Sequence, residues 1–384
     1  MLDGTNVVLG VSGSIAAVRC VELIHEFRRQ GADVRAVTSP AAESIINPWS
    51  LEFATGYPVV TELTGEIEHV ELCGDDGWGD CFLLAPGTAN SISKMASAID
   101  DTPLTTCATT AIGANMPVVI APAMHEPMWN HPGVLDAMDT LETWGVSVVE
   151  PRLEENKAKI ASNESILTAV ARQTTPQTLA STSVIVTSGA TSEAIDPVRT
   201  ITNRASGTMG REIARACHVR GASVSLVHHG PDVDYATVEH VERGSEMREA
   251  VLDQLPEADA LISAAAISDF SVATADEKLD SGNTYELQLE PAPKLLDTVR
   301  ANDADITIIG FKANHDAERD TLIAAAREQQ ERVGAAFVVA NDAAVMGEQS
   351  TEAIIVDENA TETVIGAKRH LAGIIADRVS QELS

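Results

Sequence analysis

Short apolar runs rich in valine, isoleucine and alanine alternate with amphipathic stretches from one end of this 384-residue chain to the other. No other feature constrains the fold as much. Such alternation marks strand–helix–strand units and a parallel α/β sheet. In the first half, Asn6–Val11, Val34–Val37, Phe82–Ala85 and Val118–Ala121 read as strands, and Ile15–Arg29, Ala89–Ala98 and Pro132–Trp144 as helices. The strands are apolar throughout rather than alternating, as in a sheet covered on both faces. Residues 172–183 (RQTTPQTLASTS) are polar and rich in Thr and Ser, and 173–183 is the linker candidate. It separates a domain at 1–172 from one at 184–384, a division that the length of the chain also favours.

The alternation restarts at Val184. Strands are expected near Val224–Val227, Ala260–Ala264, Thr307–Phe311 and Phe337–Ala340, and helices near Met209–Arg220, Glu246–Leu255, Ala317–Val333 and Ile365–Val379. The fold class is therefore α/β, with two doubly wound, Rossmann-like domains. No apolar run approaches the roughly 20 residues of a membrane span. The first residues show no basic stretch of a secretory signal, so a cytoplasmic protein is expected.

Charge excludes whole classes of partner. Asp and Glu number 57 against 26 Lys and Arg, a net charge of −31. A surface so acidic repels nucleic-acid backbones and anionic membranes. The acids are dispersed rather than gathered in a tail, the pattern of a protein that works in a salty cytosol. Lysine is scarce, with only Lys94, Lys157, Lys159, Lys278, Lys294, Lys312 and Lys368. Where lysine has been purged from the surface, each survivor is a stronger functional candidate. Cys20, Cys73, Cys81, Cys107 and Cys217 form no C-x-x-C pair and read as buried, reduced thiols.

Residues 187–210 (TSGATSEAIDPVRTITNRASGTMG) join a strand to a helix through small residues, which lets backbone N–H groups and the helix dipole close on a phosphate. A plain tight turn accounts for the small residues equally well. The whole string, however, closely resembles the signature of phosphopantothenate–cysteine ligases, a G-x-T-x-E-x-hydrophobic-D-P-V-R segment followed by N-x-x-S-G-x-M-G. The resemblance continues through residues 264–270 (AAAISDF), Glu277-Lys278, Pro293-Lys294, residues 310–313 (GFKA) and Ala340-Asn341-Asp342.

That family activates the carboxylate of 4′-phosphopantothenate with CTP as an acyl-cytidylate, and the amine of L-cysteine then attacks. The resemblance implies a nucleotide-binding ligase domain. Lys278 (catalytic) and Lys294 would lie on the phosphates, and Asp269 on Mg²⁺ or the ribose. Asn203 would hold the acyl carbonyl, and Phe311, Asn341 and Asp342 would line the cytidine pocket. Gly189, Arg199, Ser206, Gly207, Ala266 and Lys312 complete the substrate set.

In the first half, residues 10–17 (GVSGSIAA) follow a strand and open a helix, but lack the second glycine of a dinucleotide fingerprint. A Ser-rich turn of this kind suits a single phosphate at the carboxyl end of a strand. Residues 13–17 (GSIAA), 85–90 (APGTAN) and the pattern Pro122-Ala123-Met124-x-x-x-Met128-Trp129 resemble the flavin-dependent cysteine decarboxylases, whose domain is flavodoxin-like. That family oxidises a cysteine thiol with FMN so that CO₂ leaves easily, and the hydride then returns. The resemblance implies FMN contacts from Gly13, Ser14, Ile15, Thr38, Thr88 and Asn90, and a catalytic histidine at His69. Without it, His69 reads as a solvent-facing strand residue. Met124, His125 and Met128 would meet the substrate.

Two departures stand out. His125 replaces the family's carboxylate-binding asparagine, and residues 151–161 (PRLEENKAKIA) lack the bacterial flap cysteine. Lys157 or Lys159 is expected to clamp a substrate anion or supply a proton in its stead.

The resemblances together imply a bifunctional enzyme of coenzyme A synthesis, making 4′-phosphopantetheine. The alternative is an active ligase carrying an altered decarboxylase domain. A third reading, a subunit that regulates a phosphatase, leaves the intact ligase string without purpose. The families also imply a homo-oligomer, with flavin domains in trimers and ligase domains in dimers, up to a dodecamer.

Overall fold

The opening apolar run folds as β1 (Asn6–Val11), the middle of the first of two sheets. In this computed structural model, residues 1–154, 157–303, 305–314, 318–342 and 350–384 are described, without the side chains of Asp342 and Ser350. They form two units, Met1–Pro176 and Gln177–Ser384.

In the first unit β1 is joined by β2 (Asp33–Thr38), β3 (Cys81–Gly87) and β4 (Val118–Pro122). Then follow β5 (Met124–His125), β6 (Ser147–Val148), β7 (Arg152–Glu154) and β8 (Lys157–Lys159). The main sheet is parallel, in the order β2-β1-β3-β4-β6. That is the doubly wound flavodoxin order, whose crevice opens where β1 has a neighbour on each side. Every residue of β3 and β4 is buried, as their unbroken apolar runs require. β5, β8 and β7 form a small antiparallel sheet that contains the flap.

The second unit holds β9 (Ser183–Ser188), β10 (Ser192–Ala194), β11 (Thr200–Thr202), β12 (Ser223–His228), β13 (Thr237–His240) and β14 (Ala260–Ser263). After them come β15 (Phe270–Val272), β16 (Leu289–Pro291), β17 (Thr307–Asn314), β18 (Phe337–Asp342), β19 (Ser350–Val356) and β20 (Thr361–Ala367). Its large sheet runs β13-β12-β9-β14-β17-β18-β19-β20. The first six strands are parallel and in the Rossmann order, with the switch point between β9 and β14; the last two are antiparallel. One face buries Ile213, Cys217, Ile375 and Val379, and the other Met247, Val251, Leu296 and Val299.

Several expectations change. The helix Ile15–Arg29 is a five-residue 3₁₀ turn (Ile15–Arg19) capped by Ser14, followed by an α-helix at Cys20–Arg29. His69 lies in a short helix, Glu68–Cys73, not in a strand. Ile365 belongs to β20, where it is exposed, and the last helix starts at Lys368. The β-branched run at residues 361–365 (TETVI) pairs along the edge of the sheet and buries only Val364. Of the expected helix Ala317–Val333, Arg319–Val333 is helical, and Ala317 lies outside the described residues.

The expected linker is mostly structured. Arg172–Thr174 close the helix Asn163–Thr174. Leu179 is buried in the core of the second unit, and its N–H donates to the Arg220 carbonyl at 2.8 Å. One apolar residue in a polar run is enough to dock it.

Candidate active sites at the carboxyl ends of the two sheets

In the first unit the loops after β1 and β3 meet at the switch point. The buried Ser12 hydroxyl donates to the Pro86 carbonyl at 2.6 Å, and accepts from the Thr88 N–H at 3.1 Å. Ser14 caps the 3₁₀ turn, and Thr88 caps the helix Ala89–Ala96 by accepting from the Ser91 N–H at 3.3 Å. Two hydroxyl-capped helix starts thus share the crevice beside β1. Gly13 is pressed against the neighbouring loop, since a Cβ there would stand 2.5 Å from the Ala41 Cβ.

Around them, Ile15 is exposed, as is Asn90, while Thr38 is fully buried with its hydroxyl on Glu43 at 3.1 Å. His69 is half-buried, and its Nδ1 is buried without a hydrogen-bond partner among the described residues. An orphaned ring nitrogen and a cradle that tolerates no side chain fit an added planar, phosphorylated group.

The flap has a definite register. His125 of β5 lies opposite Lys157 of β8, and Lys157 opposite Glu154 of β7. Directly paired residues share a face of a sheet, so His125 and Lys157 point the same way. Lys159 instead pairs with Glu154 at 3.0 Å. Met124, opposite Ala158, packs against the core, and Met128 is exposed. All five cysteines are buried and unpaired to one another. Burial pushes the Cys20 and Cys217 thiols up to about 12. A hydrogen bond with Cys107, then burial, raises Cys73 further. Cys20, Cys73 and Cys217 are thus not ready thiolates.

In the second unit a cleft of about 970 Å³ opens at the switch point between β9 and β14. The loops that follow these strands are knitted together. The Ala266 N–H donates to the Gly189 carbonyl at 2.7 Å, and the Ala266 carbonyl accepts from the Asn203 amide at 3.0 Å. Gly207, at φ +74°, caps the helix Thr208–Val219, and its carbonyl accepts from the Ser188 hydroxyl at 2.8 Å. At Gly210 a Cβ would meet the Ser188 Cβ at 2.5 Å, so only glycine lets helix and strand approach this closely.

Gly189, Asn203, Ser206, Gly207, Ala266, Asp269, Lys294, Phe311, Lys312 and Asn341 all line this cleft. The fold thus gathers ten of the expected residues from segments spread over 150 positions. Two others lie elsewhere. Arg199 is structural, donating to the buried Asp196 carboxylate at 2.9 Å and the Leu279 carbonyl at 3.2 Å. Burial pushes Asp196 up, but backbone donors at Val198, Leu279 and Arg199 outweigh it and hold the carboxyl below its usual range. Lys278 stands exposed on a loop outside the cleft lining. Asp342 ends β18, and its side chain lies outside the described residues.

Beside Lys294 and Lys312, the cleft holds three cations that the motifs did not single out, Arg204, Arg332 and Lys368, and its lining has one carboxylate, Asp269. In a chain of net charge −31 this is a strong local reversal of sign, and it suits a polyanionic ligand. No cluster of three metal-ligating side chains exists among the described residues. A Mg²⁺ at Asp269 would therefore take most of its ligands from phosphate oxygens and water, its usual mode beside nucleotides.

Two switch-point crevices, one in a flavodoxin-type sheet and one in a Rossmann-type sheet, define a two-domain α/β enzyme built around phosphorylated ligands. Residues 1–175 match the Flavoprotein family, and residues 179–383 match the family described as DNA/pantothenate metabolism flavoprotein C-terminal domain. The chain is 46% identical to the coenzyme A biosynthesis bifunctional protein CoaBC of Thermococcus kodakarensis, over 100% of its own length and 96% of the relative's. With the protein of the same name from Methanocaldococcus jannaschii it shares 33%, over 99% and 94% of the two chains. A crystal structure of the C-terminal domain of a CoaBC protein aligns with 54% of this chain and 98% of its own, at 26% identity and a TM-score of 0.46. The chain belongs to the family of coenzyme A biosynthesis bifunctional proteins.

Proposed function

We propose that the second unit joins L-cysteine to 4′-phosphopantothenate at the expense of CTP, and that the first decarboxylates the product to 4′-phosphopantetheine. The observation that carries this reading is the cationic cleft at the β9/β14 switch point, lined by Asn203, Ser206–Gly207, Lys294 and Phe311. The helix start at Gly207 and the cleft cations neutralise triphosphate charge, so the leaving pyrophosphate is stabilised as it forms. Asn203 has two amide protons; one is fixed on the Ala266 carbonyl, and the second is free to meet the acyl oxygen during attack by the cysteine amine. Phe311 and Asn341 flank the base, and Asp269 holds Mg²⁺ through the phosphates.

In the first unit, Gly13, Ser14 and Thr88 hold the phosphate of FMN, whose bound ring supplies oxidation of the substrate thiol and return of the hydride. His69, half-buried, takes the proton of that thiol. Lys157, opposite His125, holds the substrate under the flap. No helix among the described residues is long and apolar enough to cross a membrane. The enzyme acts in the cytoplasm as a homo-oligomer, with the exposed Trp49 and Phe53 of helix Pro48–Thr55 as contact candidates.

The deciding experiment is a mass-resolved assay of FMN-loaded protein in high salt with 4′-phosphopantothenate, cysteine, Mg²⁺ and CTP. Formation of 4′-phosphopantetheine with CO₂ is expected. Arrest at 4′-phosphopantothenoylcysteine would leave the ligase alone, and no product with either CTP or ATP would sink the whole reading.

A further inference from the structure

Lys368 is the first residue of the helix Lys368–Glu382, directly after β20. A cation in this position opposes the helix dipole, and the first turn contains no acidic residue. The residue is also only 8% exposed, which is rare for lysine. Both features raise the cost of placing a charge there. They persist in a chain with only seven lysines, where any other long residue would cover the same surface.

The topology explains where that charge works. β20 runs antiparallel to β19, and β19 antiparallel to β18, so β20 ends at the same sheet edge as β9 and β14. Lys368 therefore lines the ligase cleft together with Thr351, Phe311 and Asn341. Its helix packs against the helix Thr208–Val219, which starts at the Gly207 turn. Two helix N-termini and one ammonium thus border the same cavity, and all three favour negative charge.

We propose that Lys368 is a phosphate-binding residue of the ligase cleft, its ammonium meeting a phosphate oxygen of a bound substrate. This rests on the ligase reading above and adds a residue that none of the sequence motifs contains. Two substrates of that reaction carry phosphate, the nucleotide triphosphate and 4′-phosphopantothenate.

The test is calorimetric titration of the full-length K368M and K368R proteins with CTP·Mg²⁺ and, separately, with 4′-phosphopantothenate. K368M is expected to weaken one of the two at least tenfold, and K368R to stay within threefold of the wild type. Loss confined to CTP assigns the nucleotide phosphates, and loss confined to 4′-phosphopantothenate assigns the acid's own phosphate. Thermal melting followed by circular dichroism, compared with the wild type, reports that the second unit of the variant is folded; K368Q replaces K368M if the latter does not melt cooperatively. Unchanged affinity for both ligands overturns the proposal. Wild-type protein that binds neither and ligates nothing removes the ligase reading itself, and this inference with it.

Discussion

The Asn203 side-chain amide donates to the Ala266 carbonyl at 3.0 Å across 63 residues of sequence. The bond ties the loop after β11 to the loop after β14, and Asn203 lines the cleft beside it, where its remaining amide proton is proposed to meet the acyl oxygen. N203A removes both functions. Cysteine ligation is expected to fall by about 10²–10³-fold, as for loss of one oxyanion donor. CTP-dependent pyrophosphate release from 4′-phosphopantothenate should persist, and quench-flow measurement of the two half-reactions separates the effects.

The two flap lysines should behave differently. Lys157 shares a face with His125, while Lys159 is occupied by Glu154. CO₂ release from 4′-phosphopantothenoylcysteine is expected to drop at least tenfold in K157M and less than threefold in K159M. Equal effects of the two substitutions would place the important charge elsewhere.

Gly13 leaves no room for a side chain against Ala41. G13V should displace the loop after β1 and yield protein without the visible absorbance of bound flavin. Ligation of cysteine, carried by the second unit, should be retained. A flavin-loaded G13V protein would contradict the assigned cradle.

His228 ends β12, buried, with its Nε2 lacking a partner among the described residues. Burial, then the Arg211 charge, lowers its pKa below the ordinary value. Between that lowered value and about 6.5 the unfolded chain holds more protons than the folded one. The histidine therefore leaves stability intact above about pH 6.5 and reduces it as pH falls through this window. Thermal melts from pH 7 to 5 should show a shallower decline in H228L than in the wild type.

From a net charge of −31, folding is expected to depend on screening. The melting temperature should rise with added KCl over the molar range and fall on dialysis into low salt. A melting temperature indifferent to salt would show that the acids are balanced locally, by pairs such as Arg220–Asp377 and Arg378–Glu362.

Much of the fold was legible because buried parallel strands need unbroken apolar runs. β1 and the buried β3 and β4 announce themselves, as do the helices beginning at Ala89 and Pro132. The edge strand β20 did not, because half-exposed β-branched residues running into a helix carry no clear period. His69 was misread for a related reason: a six-residue helix is too short to show its repeat.

Of the candidate sites, residue identity was readable where a motif is contiguous. Residues 203–210 pack around a glycine turn whose chemistry is local, so their string alone announced a tight turn or a phosphate loop at a helix start. Arg199, in the same string, turned out to brace Asp196, a role visible only once Leu279 is beside it. Lys368 stood out in the sequence only by rarity.

The sequence by itself determined the α/β class, the two domains and the family, because hydrophobic period and turn chemistry are properties of neighbours along the chain. Only the tertiary structure decided which charges converge. Arg204, Lys294, Lys312, Arg332 and Lys368 come from five separate segments, and strand order brings them to one sheet edge. Electrostatic potential depends on distance in space, and the folded topology sets that distance.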